Sequence, residues 1–167
     1  MQDEKKIRDP LTFVPIGIIH SPFADIMGMP IQPNGARGIR GTIEIYGEYA
    51  EGLRDIDGFS HLFLIYVFHR CPSYELTVKP FLDTAPRGVF ATRAPRRPNA
   101  IGLSIVRLTE VKDTTVFIED VDILDGTPLL DLKPYVPAFD AYPDASSGWL
   151  EHSAQGAGTF RSDERFR

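Results

Sequence analysis

The eight residues His61-Leu62-Phe63-Leu64-Ile65-Tyr66-Val67-Phe68 leave the chain few folding options. Aromatic and β-branched side chains follow one another with hardly a polar break. The run is too short to cross a membrane as a helix and too rich in strand formers to favour a soluble one. It predicts a central strand. Gly41 to Tyr46 alternates polar and apolar residues, as a half-buried strand should. Phe13 to His20 is also β-rich, with Pro15 marking an edge or a strand start. Ile101 to Val111 and Thr115 to Val121 add two more strands, joined by Lys112-Asp113-Thr114 as a short hairpin connection. The 14 prolines and 14 glycines fall between these runs as punctuation. Helical signal is confined to a short stretch from Glu48 to Asp55, ahead of Gly58. Short strands with Gly/Pro turns and no repeated βαβ unit predict an all-β fold, a single small β-barrel domain with short helices and irregular loops and no Rossmann domain. Closing the barrel removes exposed strand edges.

The length of 167 residues suits one domain with room for a proper core. Residues 1–12 read as an N-terminal extension and 13–142 as the barrel. Residues 143–167 read as a polar, Ala/Ser/Gly-rich tail, loosely ordered or packed on a partner. The charged start, Met1 to Lys6, leads into no signal-peptide core, and no apolar run reaches the roughly 18 residues of a membrane span. The expectation is a cytoplasmic protein without a membrane partner. The lone cysteine, Cys71, allows no intrachain disulfide and reads as a buried or idle thiol. A net charge of −5 argues against blanket nucleic-acid binding. Yet Arg87, Arg93, Arg96, Arg97 and Arg107 fall in one stretch free of Asp and Glu, a local patch able to hold phosphates.

Several common chemistries find no support. Gly35, Gly38 and Gly41 lack the spacing of a dinucleotide loop, and there is no Walker A sequence. Gly102-Leu103-Ser104-Ile105-Val106 lacks the last glycine of a nucleophile elbow, so Ser104 reads as an ordinary strand serine. His61 and His69, eight residues apart on one predicted strand, stand about 26 Å apart and cannot share an ion. His69 and Cys71 are only two ligands, and no metal site is expected.

Three segments look chemical. In Gly88 to Ser104, Pro95 and Pro98 stiffen a stretch from which Arg93, Arg96 and Arg97 project. Arginine forks suit carboxylates and phosphates and stack on bases, although a solvated charged loop is the blander reading. In Asp122 to Pro137, Asp125-Gly126 starts a tight turn that Pro128 closes, either a ligand-contacting loop or a surface turn. His69-Arg70 ends the apolar run, where barrel ligands often bind, or simply caps it.

Taken together, these segments resemble the TrmO/TsaA-like family from about Phe13 to Tyr142. The motifs are Gly88-Val89-Phe90-Ala91-Thr92-Arg93, Arg97-Pro98-Asn99 with Ile101-Gly102-Leu103-Ser104, and Asp125-Gly126-Thr127-Pro128 with Asp131-Leu132-Lys133-Pro134-Tyr135. Ile16-Gly17-Ile18-Ile19-His20-Ser21-Pro22-Phe23 and Phe59-Ser60-His61-Leu62 support them. The resemblance implies a dimeric β-barrel that binds S-adenosylmethionine and methylates N6 of threonylcarbamoyl-adenosine beside the anticodon of tRNA. By motif match the cofactor pocket comprises Pro30, Ile31, Gln32, His69, Arg70, Arg93, Leu103, Leu124, Asp125, Gly126, Thr127 and Pro128. Arg96, Arg97, Asn99, Lys133 and Tyr135 are the implied tRNA contacts. Ile31 stands where the family carries arginine, and Ala94-Pro95-Arg96 where Ser-Pro-Phe or Ser-Thr-Phe is common. Larger members carry a further C-terminal domain thought to assist tRNA binding.

In this reading Arg93 or Arg70 holds the cofactor carboxylate, Asp125 accepts the ribose hydroxyls, Gly126-Thr127 frames the adenosine, and Leu103 and Pro30 wall the base. Arg96 and Arg97 contact RNA phosphate or stack on the acceptor. Methyl transfer needs positioning and a dry pocket more than a protein nucleophile, and the sequence assigns no catalytic base. A methyltransferase for another acceptor, a non-catalytic S-adenosylmethionine-binding regulator and a purely structural barrel dimer remain alternatives.

Overall fold

A computed structural model of the chain describes residues 9–151, 153 and 158–166. Its centre is a closed antiparallel barrel. In chain order the strands are β1 (Gly17–His20), β2 (Arg40–Ile45), β3 (His61–Val67), β4 (Thr77–Val78), β5 (Arg87–Gly88), β6 (Ile101–Lys112), β7 (Thr115–Glu119) and β8 (Thr127–Pro134). Around the barrel they run β1-β2-β7-β6-β3-β8, and β8 pairs back onto β1. β4 and β5 form a separate two-stranded ribbon.

The interior follows from the period of two along each strand. Ile19, Ile43, Ile45, Leu62, Leu64, Tyr66, Val106, Val116, Ile118 and Leu129 point inward as one buried cluster. The apolar run of β3 serves both faces: Leu62, Leu64 and Tyr66 are buried while Phe63, Ile65 and Val67 are half-buried outside. Two glycines allow close approaches. A Cβ on Gly17 would lie 2.3 Å from the Glu44 carbonyl oxygen, and one on Gly102 would lie 2.2 Å from the Tyr66 ring. Asp113 takes φ 52° in the two-residue link between β6 and β7, as a tight hairpin demands.

The predicted strands are present with adjusted ends. β1 begins only at Gly17, because Pro15 has no N–H for the ladder. β3 stops at Val67, so His69 lies in a turn, with its N–H on the Val67 carbonyl, rather than on the strand. The helical stretch near Glu48 is a 3-10 helix, Gly47–Leu53. β8 is a strand where the sequence alone predicts a turn and its exit. It carries prolines near both ends and is pinned between β1 and β3, with a register shift opposite Ile65 and Tyr66. Pairing on both sides overrides its weak intrinsic β preference.

Part of the tail folds back on its own chain. Arg161 bridges to Pro30, the Gly28 N–H donates to the Ser162 carbonyl (3.0 Å) and the Ser162 N–H donates to the Met29 carbonyl (2.9 Å). Phe166 is buried beside Val78, Val89 and Ala94, with its ring edge-on to Phe81 at 5.0 Å. Residues 1–8, 152, 154–157 and 167 of the predicted extension and tail lie outside the described residues. No helix among the described residues is long and apolar enough to cross a membrane.

Candidate functional site

One end of the barrel opens into a cavity of about 300 Å³. It forms where β3 ends, where the chain leaves β7 and where β8 begins. Ile26, Met29, Phe68, Phe81, Ile123 and Phe166 make its apolar walls, and Asp25, His69, Arg70, Asp122, Thr127 and Asp163 bring polar groups into it. A second hollow, around Leu53, Ile56 and Asp131, lies at the opposite end of the barrel.

The predicted pocket residues fall into three groups. Pro30, Ile31, His69, Arg70, Leu124 and Thr127 line the cavity. Gln32, Arg93, Asp125, Gly126 and Pro128 are its immediate neighbours in chain or space. Pro95 of the arginine-bearing segment and Thr127 of the Asp-Gly turn share this cavity although they are far apart in sequence. Arg93 Nη1 donates to Gln32 Oε1 at 2.9 Å, and its charge is felt by Tyr66 and Asp122 inside the cavity. Leu103 is the exception. It faces outward from β6, 54% exposed, opposite Ile65 on β3.

The turn is tied down on its rim. Gly126 adopts φ 73°, which its missing Cβ permits, and its N–H donates to the Ile19 carbonyl at 3.0 Å. Asp125 Oδ1 accepts from the Ser21 N–H at 3.1 Å and lies 3.3 Å from His20 Nδ1. Those contacts, the Ser21 amide first, hold its carboxyl below the usual range, so it is an anion at neutral pH. Thr127 Oγ1 donates to the Leu124 carbonyl at 2.7 Å and thus meets His69 Nδ1 (3.3 Å) as an acceptor. That assigns the imidazole proton to Nδ1 and turns Nε2 into an acceptor. Burial and then the Arg70 charge push the His69 pKa down, so the ring is neutral at pH 7. Arg70 itself donates to the Ala24 carbonyl at 2.9 Å.

The implied tRNA contacts occupy two ends of the molecule. Arg96, Arg97 and Asn99 lie in the segment entering β6 at the cavity end. Arg97 Nη1 donates to the carbonyls of Val89 (3.1 Å) and Thr92 (2.8 Å), and its guanidinium sits 5.8 Å over the Phe90 ring, clamping that loop. Arg96 pairs with Glu75. Lys133 pairs with Asp131 at 2.8 Å, and Tyr135 packs edge-on against Phe63 at 5.5 Å. These last two lie at and beyond the far end of β8, roughly 20 Å along the strand from Thr127.

A buried polar network gives no local signal in the sequence. Ser104, 3% exposed, points into the barrel, donates to Asp122 Oδ1 at 2.7 Å and lies 3.1 Å from Tyr66 Oη. It is therefore more than an ordinary strand serine. Burial pushes the Asp122 carboxyl up to about 6, against the opposing pull of the Ser104 hydroxyl. Burial also raises Tyr66. Cys71 lines the cavity, and burial raises the pKa of its thiol as well. No group of three or more His, Cys, Asp or Glu able to hold a metal occurs among the described residues.

A closed six-stranded barrel with an apolar end cavity, Arg70 on the cavity wall, an Asp-Gly turn at its rim and, among the described residues, no α/β layer defines a ligand-binding β-barrel protein. The model of the tRNA-methyltransferase O N-terminal domain matches residues 18–141. The chain belongs to that family. It is 53% identical over 156 residues to a Pyrococcus abyssi protein named "Probable S-adenosyl-L-methionine-binding protein", covering 93% of this chain and 85% of the relative. It is 38% identical over 149 residues to the tRNA (adenine(37)-N6)-methyltransferase of Escherichia coli, covering 83% of this chain and 63% of that enzyme. The crystal structure of TrmO from Pseudomonas aeruginosa superposes with a TM-score of 0.71 at 38% identity, over 84% of this chain and 63% of that one. The chain thus spans less than two thirds of the length of these two bacterial proteins.

Proposed function

We propose that this protein is an S-adenosylmethionine-dependent methyltransferase that acts on N6 of threonylcarbamoyl-adenosine beside the anticodon of tRNA, in the cytoplasm. The observation that carries this reading is the shared cavity: the Arg93–Pro95 segment and the Asp122–Thr127 turn meet around one mostly apolar space at the end of the barrel.

The residues fit such a cofactor. The cavity has the size and the mostly apolar lining of a small-molecule site. Arg70 or Arg93 meets a carboxylate, the Asp125 anion on the rim meets ribose hydroxyls, and Ile31, Phe68 and Leu124 cover a base. When bound, the cofactor supplies an electrophilic methyl carbon on sulfur. The chain would supply alignment and exclude water for an acceptor nitrogen brought up to that carbon. A neutral His69 adds no repelling positive charge beside a sulfonium. Arg96 and Asn99, on the segment that runs from Pro95 at the cavity into β6, then meet the anticodon loop, and Arg97 holds the loop that presents them. An anticodon base is already unpaired, which lowers the cost of drawing it into the pocket.

Asp125→Ala is expected to weaken cofactor binding roughly 10-fold or more by calorimetry, the scale of a charge-assisted hydrogen bond. An unchanged dissociation constant removes the ribose role. For the whole reading, the purified protein is given labelled cofactor and tRNA lacking the modification, and the nucleosides are analysed by mass spectrometry. A methyl group on the threonylcarbamoyl nucleoside supports it. Tight cofactor binding with no transfer to tRNA points to a regulator instead.

The working form is a homodimer. The outer face of β3 and β6 pairs Phe63 with Ile105, Ile65 with Leu103 and Val67 with Ile101, a continuous apolar patch. Ile101, Leu103 and Ile105 are 42%, 54% and 36% exposed, so a monomer leaves this patch in water. A second copy packed antiparallel on this face would bring its own Lys133 and Tyr135 toward the cavity end, uniting the two groups of tRNA contacts. It would also give Leu103 a route to a cavity, that of its partner. Leu103→Asp is expected to halve the mass measured by light scattering; a wild-type monomer sinks the dimer.

A further inference from the structure

We propose that Asp122 is the group that takes the proton from the acceptor nitrogen during methyl transfer, with Ser104 and Tyr66 positioning its carboxylate. The inference rests on the methyltransferase reading and deepens it.

The geometry comes first. Asp122 lies just beyond the end of β7 at Glu119, on the wall of the same cavity that holds His69, Arg70 and Thr127. Its Oδ1 accepts the Ser104 hydroxyl proton at 2.7 Å. With that proton committed, the contact between Tyr66 Oη and Ser104 Oγ at 3.1 Å has Tyr66 donating. The two hydroxyls therefore form a chain whose protons all point toward the carboxylate. They come from different strands, Tyr66 from β3 and Ser104 from β6, so the carboxyl is fixed by the barrel itself rather than by a loop.

The chemistry asks for such a group. A carbamoylated N6 has its lone pair drawn into the neighbouring carbonyl and ring, and it carries a hydrogen that must leave. The acceptor nitrogen forms its bond to the methyl carbon as the carbon–sulfur bond breaks with its pair on sulfur. The N–H pair stays on nitrogen, and the proton passes to the Asp122 carboxylate. The positive charge on sulfur is discharged, leaving a neutral thioether, a neutral methylated nitrogen and a carboxylic acid. A base works best with a pKa near the working pH. Burial raises Asp122 to about 6, while the Ser104 hydrogen bond and the Arg93 charge keep it from rising further. The other titratable groups around it are Tyr66, held protonated by burial, and the cavity-lining Asp25, His69, Arg70, Cys71 and Asp163.

Single-turnover transfer to unmodified tRNA, at saturating cofactor from pH 5 to 9, tests the assignment. Asp122→Asn is expected to slow transfer about 10²- to 10⁴-fold, the range of general-base catalysis. Its cofactor dissociation constant should stay within about 3-fold and its melting temperature should hold or rise, because a partly buried charge is removed. The acid limb of the wild-type profile near pH 6 should vanish, and Ser104→Ala should move that limb upward. Carbon-13 NMR of aspartate-labelled protein without cofactor should show one carboxyl titrating near pH 6 that is missing in Asp122→Asn. An Asp122→Asn rate within about 10-fold of wild type, or an acid limb that persists in it, overturns the inference and gives the proton to another group such as His69. Weakened cofactor binding with an unchanged saturated rate also overturns it. Transfer by the wild type separates these failures from failure of the tRNA reading; no transfer to tRNA by the wild type overturns both.

Discussion

Gly102→Ala is expected to lower stability by about 2 kcal/mol, within the range for overpacked cores, and to damage the site as well. The added Cβ would stand 2.2 Å from Tyr66 Cε2 and 2.4 Å from its Cζ. The ring cannot swing aside freely, because Tyr66 is 5% exposed and packs edge-on to Phe68 at 5.5 Å. Moving it breaks its contact with Ser104 and disturbs the wall that carries Asp122. For a chain of this length the loss corresponds to a fall in melting temperature of roughly 4–8 °C. Calorimetric titration should show weaker cofactor binding in the same variant. Gly52→Ala is the control, since its added methyl meets open space. Equal melting curves for Gly102→Ala and wild type would mean that the ring does not lie where β3 and β6 place it.

Leu64→Ala should cost more, about 3 kcal/mol, and lower the melting temperature by about 10 °C. Leu64 is fully buried in the main core and lies on β3 between Ser104 of β6 and Leu132 of β8. Its neighbours belong to strands paired on both sides, so the barrel cannot collapse into the void. Scanning calorimetry checks this. A loss below about 1 kcal/mol would contradict a closed, packed interior. Ile105→Ala is the contrast on the outer face: it should leave monomer stability nearly unchanged and weaken the proposed dimer.

Much of the barrel is legible because its strands alternate or run apolar. β2, β3, β6 and β7 can be read directly, and the hairpin between β6 and β7 shows in Asp113. β8 is hidden because Pro128, Asp131, Lys133 and Pro134 are poor strand formers, and only pairing with β1 and β3 makes it one. Half of the motif-matched pocket set, including His69, Arg70 and Thr127, lines the cavity itself. In the sequence Asp122 reads only as the start of a turn segment, and Ser104 as a strand serine. Their meaning depends on a contact between residues 18 apart in sequence and a third, Tyr66, on another strand. No local pattern encodes that meeting. The tail is equally opaque: Ser162, Asp163 and Phe166 wall the cavity only because the chain folds back past Met29.

Closure of the six strands has a consequence for how this molecule meets others. Every backbone ladder of the barrel is already engaged, so no extended peptide can add itself there as a seventh member. Recognition at the barrel must then run through side chains, by shape, charge and apolar fit. Such contacts can be retuned one residue at a time without touching the hydrogen-bonded frame, which leaves this scaffold free to change its clients while keeping its architecture.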